Sequence, residues 1–201
     1  MKAWKAASGP YLLKIEYSCI QDLMSLTIHT ADLKIHNNLR RVLSIFHNNK
    51  KYKGLDGMLL RLYEPILWRS LNVANPVVRK NACSLLIDAF PLQDPELPQR
   101  EIDELLQKQF NLLETLLYDD SVNVRCLAVT GVCKLLGVYW ELIPEHTIRV
   151  LIAHIVNDLS HDISAPTVRE SVVLGLKYLL DNHLTHPLLK GNLIFFFFFF
   201  L

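Results

Sequence analysis

At 201 residues, 51% hydrophobic and 20% charged, the chain is too apolar to be disordered and too charged to be mostly membrane-embedded. A formal net charge of +1 supplies no global field to steer it onto nucleic acid. Its four cysteines, Cys19, Cys83, Cys126 and Cys133, form no C-x-x-C pair, and three of them fall in apolar runs, as free thiols do in the cores of proteins kept in a reducing nucleus or cytosol.

Along the chain, the first twenty residues read as lacking the continuous apolar core of a signal peptide, because Lys2 and Lys5 are followed by mixed residues and Pro10. Residues 19–57 read as an irregular helical pair ending in a loop at Asn48 to Gly57. Within it, Lys34, Arg40, Arg41, Lys50, Lys51 and Lys53 occur with no acid between residues 33 and 55, whereas residues 91–120 carry eight acids against Arg100 and Lys108. Local basic and acidic patches follow. The candidate contacts to DNA phosphate or to an acidic partner are therefore Arg40, Arg41, Lys50, Lys51 and Lys53, set against the alternative of a solvated surface.

From residue 58 onward the pattern becomes regular. Met58 to Leu71 places Leu59, Leu62, Ile66 and Leu67 on one side, with Pro65 as an expected kink. Glu101 to Tyr118 and Pro144 to Leu159 show the same helical period. After each of these comes a second helix that opens on a shared motif: Asn75-Pro76-Val77-Val78-Arg79, Ser121-Val122-Asn123-Val124-Arg125 and Ala165-Pro166-Thr167-Val168-Arg169. The arginines are 46 and then 44 residues apart, within the roughly 40–47 residues of a HEAT or armadillo repeat.

The phase holds beyond the arginine. Val78, Ala82, Leu85, Leu86 and Ala89 match Val124, Ala128, Gly131, Val132 and Leu135, and then Val168, Val172, Gly175, Leu176 and Leu179. Steps of four, three, one and three draw a single stripe along an α-helix. Gly131 and Gly175 share a slot, and a helix glycine costs about 1 kcal/mol against alanine. Close approach of a neighbouring helix is the expected reason. Asn75, Asp120-Ser121 and Ser164 are the expected start signals. The predicted architecture is thus all-α: an α-solenoid of HEAT-type helical hairpins, with repeats at 58–94, 101–140 and 144–186. Arg79, Arg125 and Arg169 are read as a structural ladder bonding to carbonyls or acids near the turns, ahead of a role as ligand contacts.

The residues offer no catalytic constellation. The glycines form no phosphate-binding loop, and neither G-x-S-x-G nor H-E-x-x-H occurs. His183 and His186 stand three apart without an acid or cysteine to complete a metal site. The expectation is no enzyme, no cofactor, no metal and no small-molecule substrate.

Specific words lie along this frame: Pro65-Ile66-Leu67-Trp68-Arg69, Ala89-Phe90-Pro91-Leu92-Gln93-Asp94-Pro95, Gly131-Val132-Cys133-Lys134, Tyr139-Trp140-Glu141, and Asp181-Asn182-His183-Leu184-Thr185-His186-Pro187-Leu188-Leu189. Upstream are Cys19-Ile20-Gln21-Asp22-Leu23-Met24 and Val42-Leu43-Ser44-Ile45-Phe46-His47. The series resembles the G-type HEAT-repeat, non-SMC subunits of condensin II over about residues 19–190. That resemblance implies a fragment of a longer scaffold that sits on a kleisin subunit in a nuclear, chromosomal complex, with DNA or chromatin as a further partner, no membrane, and a role in mitotic chromosome condensation. A transport-receptor type solenoid that carries protein cargo is the alternative.

Residues 1–18 and 191–201 are expected to stand outside the family pattern. The second segment holds six consecutive phenylalanines, Phe195 to Phe200. It is too short to span a bilayer and has no periodicity that needs it, so it is expected to be an aberrant tail, from retained intron sequence or a gene-model error, that carries no function.

Overall fold

A computed structural model describes residues 1–189; the phenylalanine-rich tail expected to be aberrant lies outside the described residues. The described residues are mainly helical and contain no strand, as the 3.6-residue period requires. In chain order the α-helices are α1 (Lys2–Ala6), α2 (Gly9–Ile15), α3 (Asp22–His29), α4 (Leu33–His47), α5 (Leu55–Ser70), α6 (Pro76–Ala89), α7 (Gln99–Leu117), α8 (Val122–Tyr139), α9 (Glu145–Ala153) and α10 (Pro166–Leu180). The described residues form two compact units, Met1–Gln109 and one that begins at Phe110.

In the first unit, α3 and α4 form one hairpin and α5 and α6 another. α6 packs on α3, α4 and α5. Met24, Ile28, Leu43, Leu55, Leu59, Leu62, Leu67, Leu85 and Leu86 are fully buried between them. Each such side chain contributes roughly 1.5–3 kcal/mol of transfer free energy, and the pairing of hairpins is what makes that burial complete. α5 continues through Pro65, whose side chain is exposed.

The N-terminal segment is integral to this unit. A π-helical turn, Glu16–Gln21, joins α2 to α3, and it carries Glu16 into the interior, 2% exposed. There Glu16 accepts from Arg61 of α5 at 2.6 Å and from the Trp4 indole at 2.9 Å. Burying a carboxylate is costly unless it is paired and hydrogen-bonded, and both partners are supplied. Residues 1–18 therefore fold with the helices that follow, which sequence patterning alone left apart.

In the second unit the principal contact is α8 on α10. α9 runs into a π-helical turn, His154–Asp158, and a 3-10 turn, Leu159–His161, so the helix expected to run from Pro144 to Leu159 is irregular over its last turns. α8 is long and apolar enough to cross a membrane by length and composition, and Val124, Ala128, Val129, Val132, Cys133, Leu135 and Leu136 along it are buried.

Every residue of the three aligned stripes is buried, in α6, α8 and α10 alike. The start signals divide. Asn75 caps α6, its side chain accepting from the Val77 N–H at 2.9 Å. Ser121 makes no side-chain cap bond, and the N-cap position of α10 is Ala165 rather than Ser164. The preceding aspartates instead close the turns that lead into these helices. Asp119 accepts from the Ser121 N–H at 2.8 Å, and Asp162 from the Ser164 and Ala165 N–H groups at 2.9 and 3.1 Å. A carboxylate two or three residues upstream closes an Asx-type turn more readily than a short hydroxyl reaches back.

Close approach explains Gly175. A Cβ there would meet Cys133 Sγ at 2.8 Å. The closest approach to a neighbouring backbone is at a position that the repeat phase did not single out. A Cβ on Gly137 would lie 2.6 Å from the Tyr178 carbonyl oxygen of α10, and the Gly137 carbonyl accepts from Asn182 Nδ2 at 3.0 Å.

Candidate partner-binding surface

The basic segment falls on α4 and on the turn that leads to α5. Gly54 begins α5 at φ 77°, a left-handed conformation that glycine adopts without a Cβ penalty. The turn is tied down by its aromatic residue: Lys5 of α1 sits over the Tyr52 ring, 3.1 Å from its centroid.

The five candidate cations do not form one patch. Arg40 is committed to α6, its Nε and Nη2 donating to the two Asp88 carboxylate oxygens at 2.7 and 2.8 Å. Lys50 turns inward. Its ammonium donates to the Ala89 carbonyl at 2.6 Å and to the Pro91 carbonyl, with Asp56 Oδ1 at 3.7 Å. Burial lowers Lys50 to about 8 and raises the Asp56 carboxyl. Arg41, Lys51 and Lys53 are exposed, as is Lys34. The surface available to a phosphate or carboxylate is thus made by Lys34, Arg41, Lys51 and Lys53, while Arg40 and Lys50 hold the fold.

The three motif arginines share one geometry within their own units. Arg79 Nη1 donates to the Val73 and Ala74 carbonyls at 2.9 and 2.8 Å. Arg125 Nη1 donates to the Asp119 and Asp120 carbonyls at 2.8 and 3.2 Å. Arg169 Nη1 donates to the Asp162 carbonyl at 2.5 Å. Each guanidinium folds back on the turn before its own helix, where carbonyls would otherwise lack donors. Arg125 also reaches forward to Asp162 Oδ2 at 3.1 Å. Hydrogen bonds from Ser164 first, and then from Arg125, hold the Asp162 carboxyl below its usual value.

Several features had no signal in the sequence. Gln109 is fully buried; its side chain accepts from the Leu92 N–H and donates to the Leu92 carbonyl, both at 2.8 Å, which pins the irregular segment after α6. An open groove of about 720 Å³ in the second unit is lined by Trp140, Ile143, Ile148, Leu184 and Pro187 together with Glu141 and Glu145. His47 Nε2 meets the Tyr63 hydroxyl at 2.9 Å deep under α4.

Burial lowers His47 to about 4 and lowers His36 in the same direction. A folded-state value below the unfolded one means that the stabilisation is complete above about pH 6.5 and is lost as pH falls toward 4. The loss attributable to His47 is about 3 kcal/mol. Urea unfolding at a series of pH values should show it, and His47→Gln, which keeps a side-chain hydrogen-bonding group without the titration, should flatten the profile over that window. An unchanged slope in the variant would refute the assignment.

Comparison with known proteins gives a consistent result. Residues 1–94 match the family model described as condensin II non structural maintenance of chromosomes subunit. The match begins at residue 1, so it takes in the N-terminal segment that the residue-by-residue resemblance left out. The chain is 46% identical over 193 residues to a protein named condensin-2 complex subunit G2 from Xenopus laevis, and 45% identical over 191 residues to the protein of that name from Homo sapiens. These alignments cover 96% and 94% of the chain and 17% of each relative; the chain spans about a sixth of the length of the relatives it matches. A Danio rerio protein of the same name is 44% identical over 191 residues. No solved structure matches.

Proposed function

The chain belongs to the family of condensin II non-SMC subunits, and from that premise we propose that it is a non-catalytic scaffold segment of such a subunit, acting in mitotic chromosome condensation in the nucleus and on chromosomes. Identity near 45% across almost the whole chain is the observation that carries this reading.

The segment is a stretch of HEAT-type solenoid with repeats at 58–94, 101–140 and 144–186. The reading is supported by the buried stripes of α6, α8 and α10 and by the recurrent return of Arg79, Arg125 and Arg169 to their own turns. Repeat units that share one neighbour geometry reuse one solution for turn carbonyls, so these arginines act as a structural ladder. The partners are the kleisin and other condensin II subunits, with DNA or an acidic protein contacted through the exposed cations Arg41, Lys51 and Lys53. The turn between α4 and α5 supports the last point, because it presents Lys51 and Lys53 outward with no acid between residues 33 and 55.

Affinity purification of the tagged chain from nuclear extract tests the assignment. Recovery of kleisin and the ATPase subunits is the expected outcome. Recovery of diverse cargo with a small GTPase would overturn it in favour of a transport-receptor solenoid.

A further inference from the structure

α4 buries one side and leaves the other unpartnered. His36, Leu43 and His47 face inward, and α4 packs on α3 and α6. Ile35, Val42 and Ile45, spaced by seven and three residues, lie together on another side, where they are 46%, 44% and 49% exposed. At 100° per residue, Lys34 and Arg41 fall immediately beside this stripe, and both are exposed. An aliphatic stripe of three β-branched side chains bordered by two cations is a recognisable surface. It is the complement of an amphipathic helix that carries apolar anchors on one edge and carboxylates on the next.

We propose that the exposed side of α4 docks an acidic amphipathic helix from a partner protein. Its apolar residues pack on Ile35, Val42 and Ile45, and its carboxylates pair with Lys34 and Arg41. This deepens the reading of Arg41 as a contact residue and rests on it. Charge complementarity selects the occupant. A DNA backbone would be served by the two cations, but it would set phosphate against three aliphatic side chains, and burying those against another apolar face is the larger gain. The carboxylates fix register and orientation on the stripe and raise the association rate.

The test uses the full chain and a fluorescein-labelled designed helical peptide with leucines along one edge and glutamates along the adjacent one. A scrambled peptide of the same composition and a short DNA duplex serve as comparison probes. Ile35→Ser/Val42→Ser/Ile45→Ser and Lys34→Glu/Arg41→Glu should each weaken binding of the designed peptide by about tenfold or more, while circular dichroism shows both variants still helical. Because all five side chains are exposed, retained folding is the expected background. Equal binding of the designed and scrambled peptides would overturn the proposal. So would peptide affinity that the serine variant leaves unchanged. Duplex binding that Lys34→Glu/Arg41→Glu abolishes, without peptide binding, would assign the face to nucleic acid, and a dimer that the serine variant dissociates would assign it to a second copy; each refutes the inference. None of these results bears on Lys51 and Lys53, so the DNA reading of the turn stands or falls separately.

Discussion

Replacing Gly137 with alanine is expected to destabilise the chain by about 2–3 kcal/mol, the cost of overpacking a close interface. The sign is the informative part. In an exposed helix interior the same substitution stabilises by up to about 1 kcal/mol, because alanine has the higher helix propensity and the unfolded chain loses freedom. Gly137 lies in α8, where the new methyl would lie 2.6 Å from the Tyr178 carbonyl oxygen and 3.2 Å from its carbon. These are backbone atoms of α10 and cannot rotate away, so α8 and α10 must separate along their shared contact. That separation would also strain the bond from Asn182 to the Gly137 carbonyl. Gly175→Ala is the milder comparison, since the atoms it meets belong to the Cys133 side chain. Urea unfolding of the three proteins should rank them wild type, Gly175→Ala, Gly137→Ala in order of falling midpoint. An alanine at 137 that raises the midpoint would show that the helices are not in contact there.

The second large effect separates two adjacent lysines. Lys50→Glu is expected to cost about 3–5 kcal/mol, the range for leaving a buried charge without its partner. The new carboxylate would face the Ala89 and Pro91 carbonyl oxygens and the Asp56 carboxylate, three acceptors with no donor among them. Lys51→Glu/Lys53→Glu changes only exposed side chains and should alter stability by no more than about 0.5 kcal/mol. Binding behaves in the opposite way. If the turn contacts DNA, the double variant should lose weak, sequence-independent affinity for a duplex, and the slope of log affinity against log salt should shrink by about 2. Thermal melts and fluorescence anisotropy at stepped salt decide both points. A Lys50→Glu protein as stable as wild type would sink the structural role, and duplex binding that persists at low salt in the double variant would remove the turn from the contact surface.

These outcomes mark where sequence reasoning has reach. The helical class, the pairing of α5 with α6, the buried stripes of α6, α8 and α10 and the family likeness were all legible, because each depends on local spacing: a 3.6-residue period, a recurring Val-Arg step and words specific enough to match. Gly175 was legible too, since its slot repeats that of Gly131. Caps were half legible. Asn75 works as read, but at α8 and α10 the serine makes no cap bond, and the aspartate upstream closes the turn before the helix.

By itself, then, the amino-acid order determined that the described residues are all-α, which side of α6, α8 and α10 is apolar, and which family the chain resembles. Only the tertiary structure decided which polar groups are spent on the fold. Lys50 and Lys51 are neighbours of one chemistry, yet the carbonyls at the end of α6, some 40 residues away, take one and leave the other to solvent. Likewise residues 1–18 join the first unit through Glu16, which accepts from Arg61, and through Lys5, which sits over Tyr52. A periodic pattern fixes the face a side chain points to, since that follows from backbone geometry within a few residues. The partner it meets there is set by a helix distant in sequence, and no local pattern records its distance.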